Sequence, residues 1–319
     1  MKKYLLTVLS VVFSITLMGQ TGFESENLSY TVINDNDNEV KVSGKHLQYG
    51  YPINSSATIV IPETVTRNSI TYTVTEIADN GFSGMHSLQE ITIPNTVKTI
   101  GQYAFQGTGN NFDEFVVNMG SDVVTIKTNA FQNCQKLKYI RIPRSCTSIE
   151  ASAFADCQSL VEMHIPNPDC TLGESAFAKC TNLQAITLPN NITEIPNGLL
   201  ENGGENLREI IIPENVTSIG SQAFGQVHDA QIIFLGCGDN NGNIKIANNA
   251  FQNNQRDDVE FFCTEIYGNG DNSRSVQFVN AQGGAIIHLP SDFNGSTLFG
   301  TQLDKLYVPC GMRDVYAQG

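Results

Sequence analysis

Apolar residues recur along this chain in a fixed order. From Leu137 the order is LKYIRIPRSCTSIEASAFADCQS, and from Leu160, without a gap, it is LVEMHIPNPDCTLGESAFAKCTN; each stretch is 23 residues long. The shared template is L-x-x-I-x-I-P, a spacer ending in Ile or Leu, and then Ala-Phe with Cys three residues on. Side chains alternate along a strand, so the fourth and sixth residues of L-x-x-I-x-I share a face, which is expected to be buried. Proline lacks an amide donor, so Pro94, Pro143, Pro166, Pro189 and Pro213 should end strand pairing. The spacer Ile residues (Ile100, Ile149, Ile195, Ile219) begin the return path. Small Ala then lets the backbone close in, and Phe fills the interior and stacks on its counterpart in the next unit.

The Phe anchor falls at Phe82, Phe105, Phe131, Phe154 and Phe177, then at Leu200 as a substitute, then at Phe224 and Phe251, at intervals of 23 to 27 residues. Such repetition predicts a solenoid in which each unit stacks on its neighbours. Units are expected to open at Leu88, Phe112, Leu137, Leu160, Leu183 and Leu207. Ahead of them ATIVIP (57–62) is a first strand, separated from its anchor by the strand-like insertion ITYTV (70–74). Earlier still, LSYTVI (28–33) and EVKVSG (39–44) alternate across an Asn- and Asp-rich turn, a hairpin signal placed to cap the first core layer. Asp35, Asp37 and Glu39 superficially resemble a calcium loop, but the glycine and distant glutamate of an EF-hand are missing, so the segment reads as a turn. Beyond Phe224 Asn- and Gly-rich loops intrude, and the final RDVYAQG looks like an unfinished helix in a chain expected to continue. The expected organisation is a leader at 1–19, a β cap at 20–56 and a solenoid at 57–319, irregular after about 225.

The leader reading rests on Lys2 and Lys3 before an apolar run from Leu5 to Leu17, with small Gly19 as a cleavage point. The run is too short for a lasting membrane span, so no integral membrane segment is expected in the mature chain. Export to the cell surface or medium follows. A lipid anchor is disfavoured because the first cysteine is Cys134. The formal charge of −14 repels phosphate backbones, so nucleic acid is not an expected partner. Eight cysteines in an exported chain ordinarily suggest disulfides. Cys134, Cys157 and Cys180 are instead one repeat apart, at a position aligned with Gly84 and Gly107, and fit a ladder of buried thiols. Strand stacking near ~4.8 Å leaves bridges between neighbours open. No metal site is expected, since no Cys-x-x-Cys pair occurs and the histidines fall at different phases of the repeat.

No nucleophile elbow, zinc-protease, phosphate-loop or dinucleotide motif is present, so neither catalysis nor a cofactor is expected. The informative residues are those that alternate outward. The fifth template position gives Thr92, Val116, Arg141, His164, Thr187 and Ile211, extended by Ile233; the third gives Glu90, Glu114, Tyr139, Glu162, Ala185 and Glu209. From these, Glu90, Thr92, Tyr139, Arg141, Glu162, His164, Thr187, Glu209 and Ile211 are the candidate ligand-binding residues, with Tyr139, Arg141, Glu162 and His164 as a contiguous mixed patch. Ordinary solvated positions of a sheet would read the same way.

The pattern L-x-x-I-x-I-P…I-G…A-F-x-x-C resembles the BspA-like, or Treponema pallidum type, leucine-rich repeats over about residues 57–319. That resemblance implies a β-rich α/β leucine-rich-repeat solenoid: a right-handed array of ~23-residue repeats with a parallel concave sheet and, here, an N-terminal β-hairpin cap. It also implies an adhesin-like surface protein whose partner is a host matrix or bacterial surface protein. Capture of a surface glycan and a structural spacer displaying a further C-terminal domain are the alternatives. The absence of Trp weakens the glycan reading, because sugar sites usually stack on aromatic faces.

Overall fold

The computed structural model describes residues 22–25, 28–34, 36–44, 57–225, 227 and 250, with the backbone of strands at 231–234, 245–246, 259–263, 275–277, 285–288, 297–299 and 305–307. The leader, the Phe251 anchor and the terminal RDVYAQG lie outside these residues. The fold is a strand-rich solenoid with successive coils joined by parallel pairing. Among the described residues there is no α-helix. The links between strands are short, and each Phe turn carries left-handed residues that interrupt helical geometry.

The I-x-I segments form the first row. Ala57–Val60, Leu88–Thr92 and Val116–Asn118 pair in parallel, as do Glu162–His164 with Ala185–Thr187, and Glu209–Ile212 with Gln231–Phe234. Residues 139–142 keep the alternation of exposed and buried side chains without being a regular strand. The spacer residues make a second row of two-residue strands: Thr99–Ile100, Thr125–Ile126, Ser148–Ile149 and Thr171–Leu172.

The hairpin forms as expected, Leu28–Asn34 against Glu39–Gly44, and Gly22–Ser25 adds a third antiparallel strand. Its turn is closed locally: the Asn34 side chain accepts from the Asn36 amide at 3.0 Å and donates to the Asp37 carboxylate. The apparent insertion is the joint between cap and solenoid. Ile70–Ile77 pairs in parallel with Glu39–Gly44 on one side and with Thr99–Ile100 on the other. Val40, Val42, Val74 and Ile77 bury the seam.

The Phe turn makes a third row. The amides of Phe82, Phe105, Phe131, Phe154 and Phe177 donate to Ala104, Ala130, Ala153, Ala176 and Leu199 in the next coil, at 2.7 to 3.0 Å. The amides two residues to either side do the same, as for Ser152 to Glu174 and Asp156 to Ala178, both 2.8 Å. Intervening amides bond three residues back within their own coil, as Ala155 does to Ser152 at 3.1 Å. The alternation requires left-handed backbone two residues before the anchor (Asn80, Tyr103, Asn129, Ser152, Ser175, Gly198, Gln222) and two after (Gly84, Gly107, Asn133, Asp156, Lys179, Asn202). Left-handed geometry costs a non-glycine residue roughly 1–2 kcal/mol, so packing and the inter-coil bonds must offset it.

The rings stack as expected. Phe82, Phe105, Phe131, Phe154 and Phe177 are fully buried, with successive centroids 5.0 to 5.7 Å apart and planes within 10°. Leu200 ends the continuous stack but keeps the main-chain bond, to Ala223 at 2.8 Å.

Two register expectations are corrected. Gly84 and Gly107 align with left-handed Asn133, Asp156 and Lys179, so they do not share the cysteine column. That column contains Met85, Thr108, Cys134, Cys157 and Cys180, each three residues past its anchor. The Thr108 hydroxyl donates to the Phe82 carbonyl at 2.8 Å, and the Cys134, Cys157 and Cys180 thiols donate to Phe105, Phe131 and Phe154 at 2.9, 3.2 and 3.2 Å. From Thr108 to Cys180 the column is therefore a set of small buried donors that bond anchor carbonyls of the preceding coil. Second, the unit placed at Phe112 opens at Phe115, which is buried and bridges to Leu137. Its strand is a residue shorter, and Glu90, Ile91 and Thr92 face Val116, Val117 and Asn118. Asn118, not Val116, therefore stands beside Thr92.

Burying one Phe side chain contributes about 1.5–3 kcal/mol, and truncation adds the cavity left between two rings. Phe154→Ala should cost roughly 3–5 kcal/mol, read as a lowered denaturant midpoint in equilibrium unfolding. An unchanged midpoint would contradict the ring stack.

Candidate binding face

The outward positions of the first row are set by strand alternation. Leu160, Met163 and Ile165 are buried while Glu162 and His164 are exposed; in the next coil Ile186 and Leu188 are buried while Ala185 and Thr187 are exposed. Register places Glu162 beside Ala185 and His164 beside Thr187. Tyr139 and Arg141 are exposed in the preceding coil, which is joined by the Val161 amide donating to Lys138 at 3.0 Å. Glu209 and Ile211 are exposed in the coil after Thr187. Tyr139 at 54% and Ile211 at 41% are among the most exposed large apolar side chains of the described residues. Ile233 is paired with Ile211 along the backbone, and its side chain lies outside the described residues.

Glu90 and Thr92 differ from the rest in being half-buried. The Asn118 side-chain amide donates to Glu90 at 2.9 Å and to Thr92 at 3.3 Å, which ties both into the sheet surface. The nine candidates thus share one face over successive coils but fall into two groups: a hydrogen-bonded pair at Glu90 and Thr92, and an exposed strip from Tyr139 to Ile211.

Sequence reasoning missed a hollow at the margin of this strip. A cavity of about 320 Å³ is lined by Arg144, His164, Pro166, Pro168, Thr187 and Asn190, with Ile165 and Leu188 beneath. Apart from His164 and Thr187, its walls belong to the turns at and after the strand-ending prolines, to which the period-2 pattern did not point. Pro166 and Pro168 in one turn were the available signal. His164 and Thr187 therefore belong both to the strip and to the hollow, with the Arg144 cation contributing to its wall. Among the described residues no cluster of three His, Cys, Asp or Glu side chains could hold a metal. No helix among them is long and apolar enough to cross a membrane.

A family model described as the BspA type leucine rich repeat region matches residues 62–167 and 109–231, in 6 copies that together span more than half of the chain. The chain shares its fold with solved structures. A leucine-rich repeat protein from Bacteroides ovatus is 22% identical with a TM-score of 0.57, the alignment covering 92% of this chain and 77% of that one. A leucine rich cell surface protein from Faecalibacterium prausnitzii is 22% identical with a TM-score of 0.61, covering 92% and 96%. The T. pallidum leucine rich repeat protein is 23% identical with a TM-score of 0.50, covering 66% and 86%. No curated protein is significantly similar in sequence.

Exposed side chains away from caps and ion pairs contribute little to stability. Tyr139→Ala, Arg141→Ala and Glu162→Ala should each change unfolding free energy by less than about 0.5 kcal/mol, measured by urea titration. A loss of several times that from any one would show a structural role.

Proposed function

Because the chain belongs to the BspA-type leucine-rich-repeat family, we propose that it is a non-enzymatic, adhesin-like protein of the cell surface that binds a protein partner across the exposed strip from Tyr139 to Ile211. The observation that carries this reading is the strip itself. Tyr139, Arg141, Glu162, His164, Thr187, Glu209 and Ile211 stand outward on successive coils, above a core that fixes their spacing. Aromatic and Arg side chains are the types over-represented at interaction hot spots, and here they adjoin. Both charge signs along the strip suit a protein surface better than a uniformly charged polymer. The description of the F. prausnitzii relative as a cell surface protein supports the location.

The test is capture from host matrix and bacterial surface extracts on immobilised full-length chain, followed by affinity measurement for the captured protein. Tyr139→Ala and Arg141→Ala should each weaken that affinity at least roughly tenfold, as hot-spot truncations do. Binding unaffected by both changes would remove the strip from the account.

A further inference from the structure

We propose that Cys146 and Cys170 are an oxidisable pair that closes into an inter-coil disulfide, while Cys134, Cys157 and Cys180 remain thiols. Two separate features of the fold lead to this assignment.

The first is an exchange of residue type within one buried column. In most coils an aliphatic residue enters the core three positions after the strand-ending residue: Val97, Val123, Ile192 and Val216, all buried. Its amide bonds back to the proline carbonyl, as Val97 to Pro94 at 3.2 Å and Val216 to Pro213 at 3.2 Å. Cys146 occupies this position in its coil, with its amide on Pro143 at 3.0 Å. In the next coil Pro168 displaces the turn by one residue. The Cys170 amide bonds to Asn167 at 3.3 Å, Asp169 is left exposed, and Cys170 enters the column. Two successive rungs are therefore thiols, one on each of two paired coils, where the Cys146 thiol donates to the Ser148 carbonyl at 3.5 Å and the Cys170 thiol to the Thr171 carbonyl at 3.6 Å. The strands that follow are in register, Ser148 with Thr171 and Ile149 with Leu172. A diagonal pair across such strands has its Cα atoms roughly 6 Å apart, inside the range that a disulfide spans without backbone movement.

The second feature is access. Cys170 lines a surface hollow of about 290 Å³ with Asp169, Thr171, Leu172 and Ile192. The ladder thiols line neither hollow described here, and their bonds to anchor carbonyls, 2.9 to 3.2 Å, are shorter than the 3.5 and 3.6 Å bonds of Cys146 and Cys170 to their local carbonyls. Reactivity separates the same way. Interaction with Cys170 holds the Cys146 thiol below its ordinary range and raises Cys170 as its protonated partner, whereas burial pushes Cys134 and Cys180 up to about 12 and also raises Cys157. Thiolate is the form that attacks an oxidant.

Cys170 lines the hollow while Cys146 is fully buried, so only a small oxidant such as hydrogen peroxide, entering past Cys170, reaches the Cys146 sulfur. The Cys146 thiolate attacks one peroxide oxygen, the O–O bond breaks, and the released hydroxide takes up the proton that Cys146 lost, leaving water and a sulfenic acid. The Cys170 sulfur then attacks the Cys146 sulfur and the S–O bond breaks. The departing hydroxide takes the Cys170 proton as a second water. Two thiols are oxidised by two electrons and one peroxide is reduced to two waters.

The test treats the native full-length chain with dilute hydrogen peroxide, alkylates remaining thiols in denaturant, and digests with trypsin and a glutamate-specific protease. Cleavage after Arg144, Glu150, Glu162 and Glu174 separates Cys146, Cys157 and Cys170 onto different peptides. The expected product is peptide 145–150 joined to 163–174 with the loss of two hydrogens, at least roughly tenfold more abundant than any link through Cys134, Cys157 or Cys180. Recovery of Cys146 and Cys170 both alkylated, or links through Cys157 as frequent as theirs, would overturn the proposal. A double variant, Cys146→Val with Cys170→Val, restores the residue type of neighbouring rungs and should fold. Peroxide should raise the melting temperature of the parent chain by roughly 5 °C and leave the double variant unchanged. The same rise in both would also overturn it.

Discussion

The hydrogen bonds that join one Phe turn to the next are the constraint on which the solenoid depends. Three alternate amides per turn reach across to the following coil, and those between them bond backward within their own coil. This satisfies a main chain that runs through the interior side of the solenoid, where an unpaired amide is costly. It also explains why the anchor is Ala-Phe. The ring must lie flat over its neighbour while the adjoining residue stays small enough for the backbones to come within hydrogen-bond distance. The Cys and Thr108 donors serve the same junction from the side, each bonding an anchor carbonyl of the preceding coil.

The outward face of the I-x-I row follows from that junction. With the coils locked in the Phe row and in the spacer row, residues of the I-x-I row repeat at the strand spacing whatever their outward side chains are. Those outward positions are consequently free to vary, and they do: Arg141, His164, Thr187 and Ile211 are equivalent in place and unlike in chemistry. The cap completes the arrangement by continuing the spacer row, since Glu39–Gly44 and Ile70–Ile77 extend the line of two-residue strands.

Much of this was legible in the sequence because the strongest signals were periodic. The Phe interval gave the stack, the I-x-I-P segments gave the paired row, and their alternation identified Tyr139, Arg141, Glu162 and His164 as outward. What escaped had no such signal. The left-handed positions carry Asn, Ser, Tyr, Lys and Gln as well as Gly, so no single residue type marks them. The unit at Phe115 was misplaced because Phe stands in for Leu and one residue is lost from the strand, so a neighbouring Phe112 fitted the template equally well. Asn118 was missed for the same reason. The hollows beside His164 and Cys170 depend on the conformation of the turns after proline, which Pro168 alters in a way that composition alone does not show.

Native-state hydrogen exchange on the full-length chain tests the central claim most directly. If the Phe turns hold the coils together, the amides of Phe131, Phe154 and Phe177, with those of Asn129, Ser152 and Ser175, should exchange only through global unfolding, as slowly as any in the protein. Rapid exchange of these amides by local opening, while Met163 and Ile186 in the I-x-I row stayed protected, would contradict it.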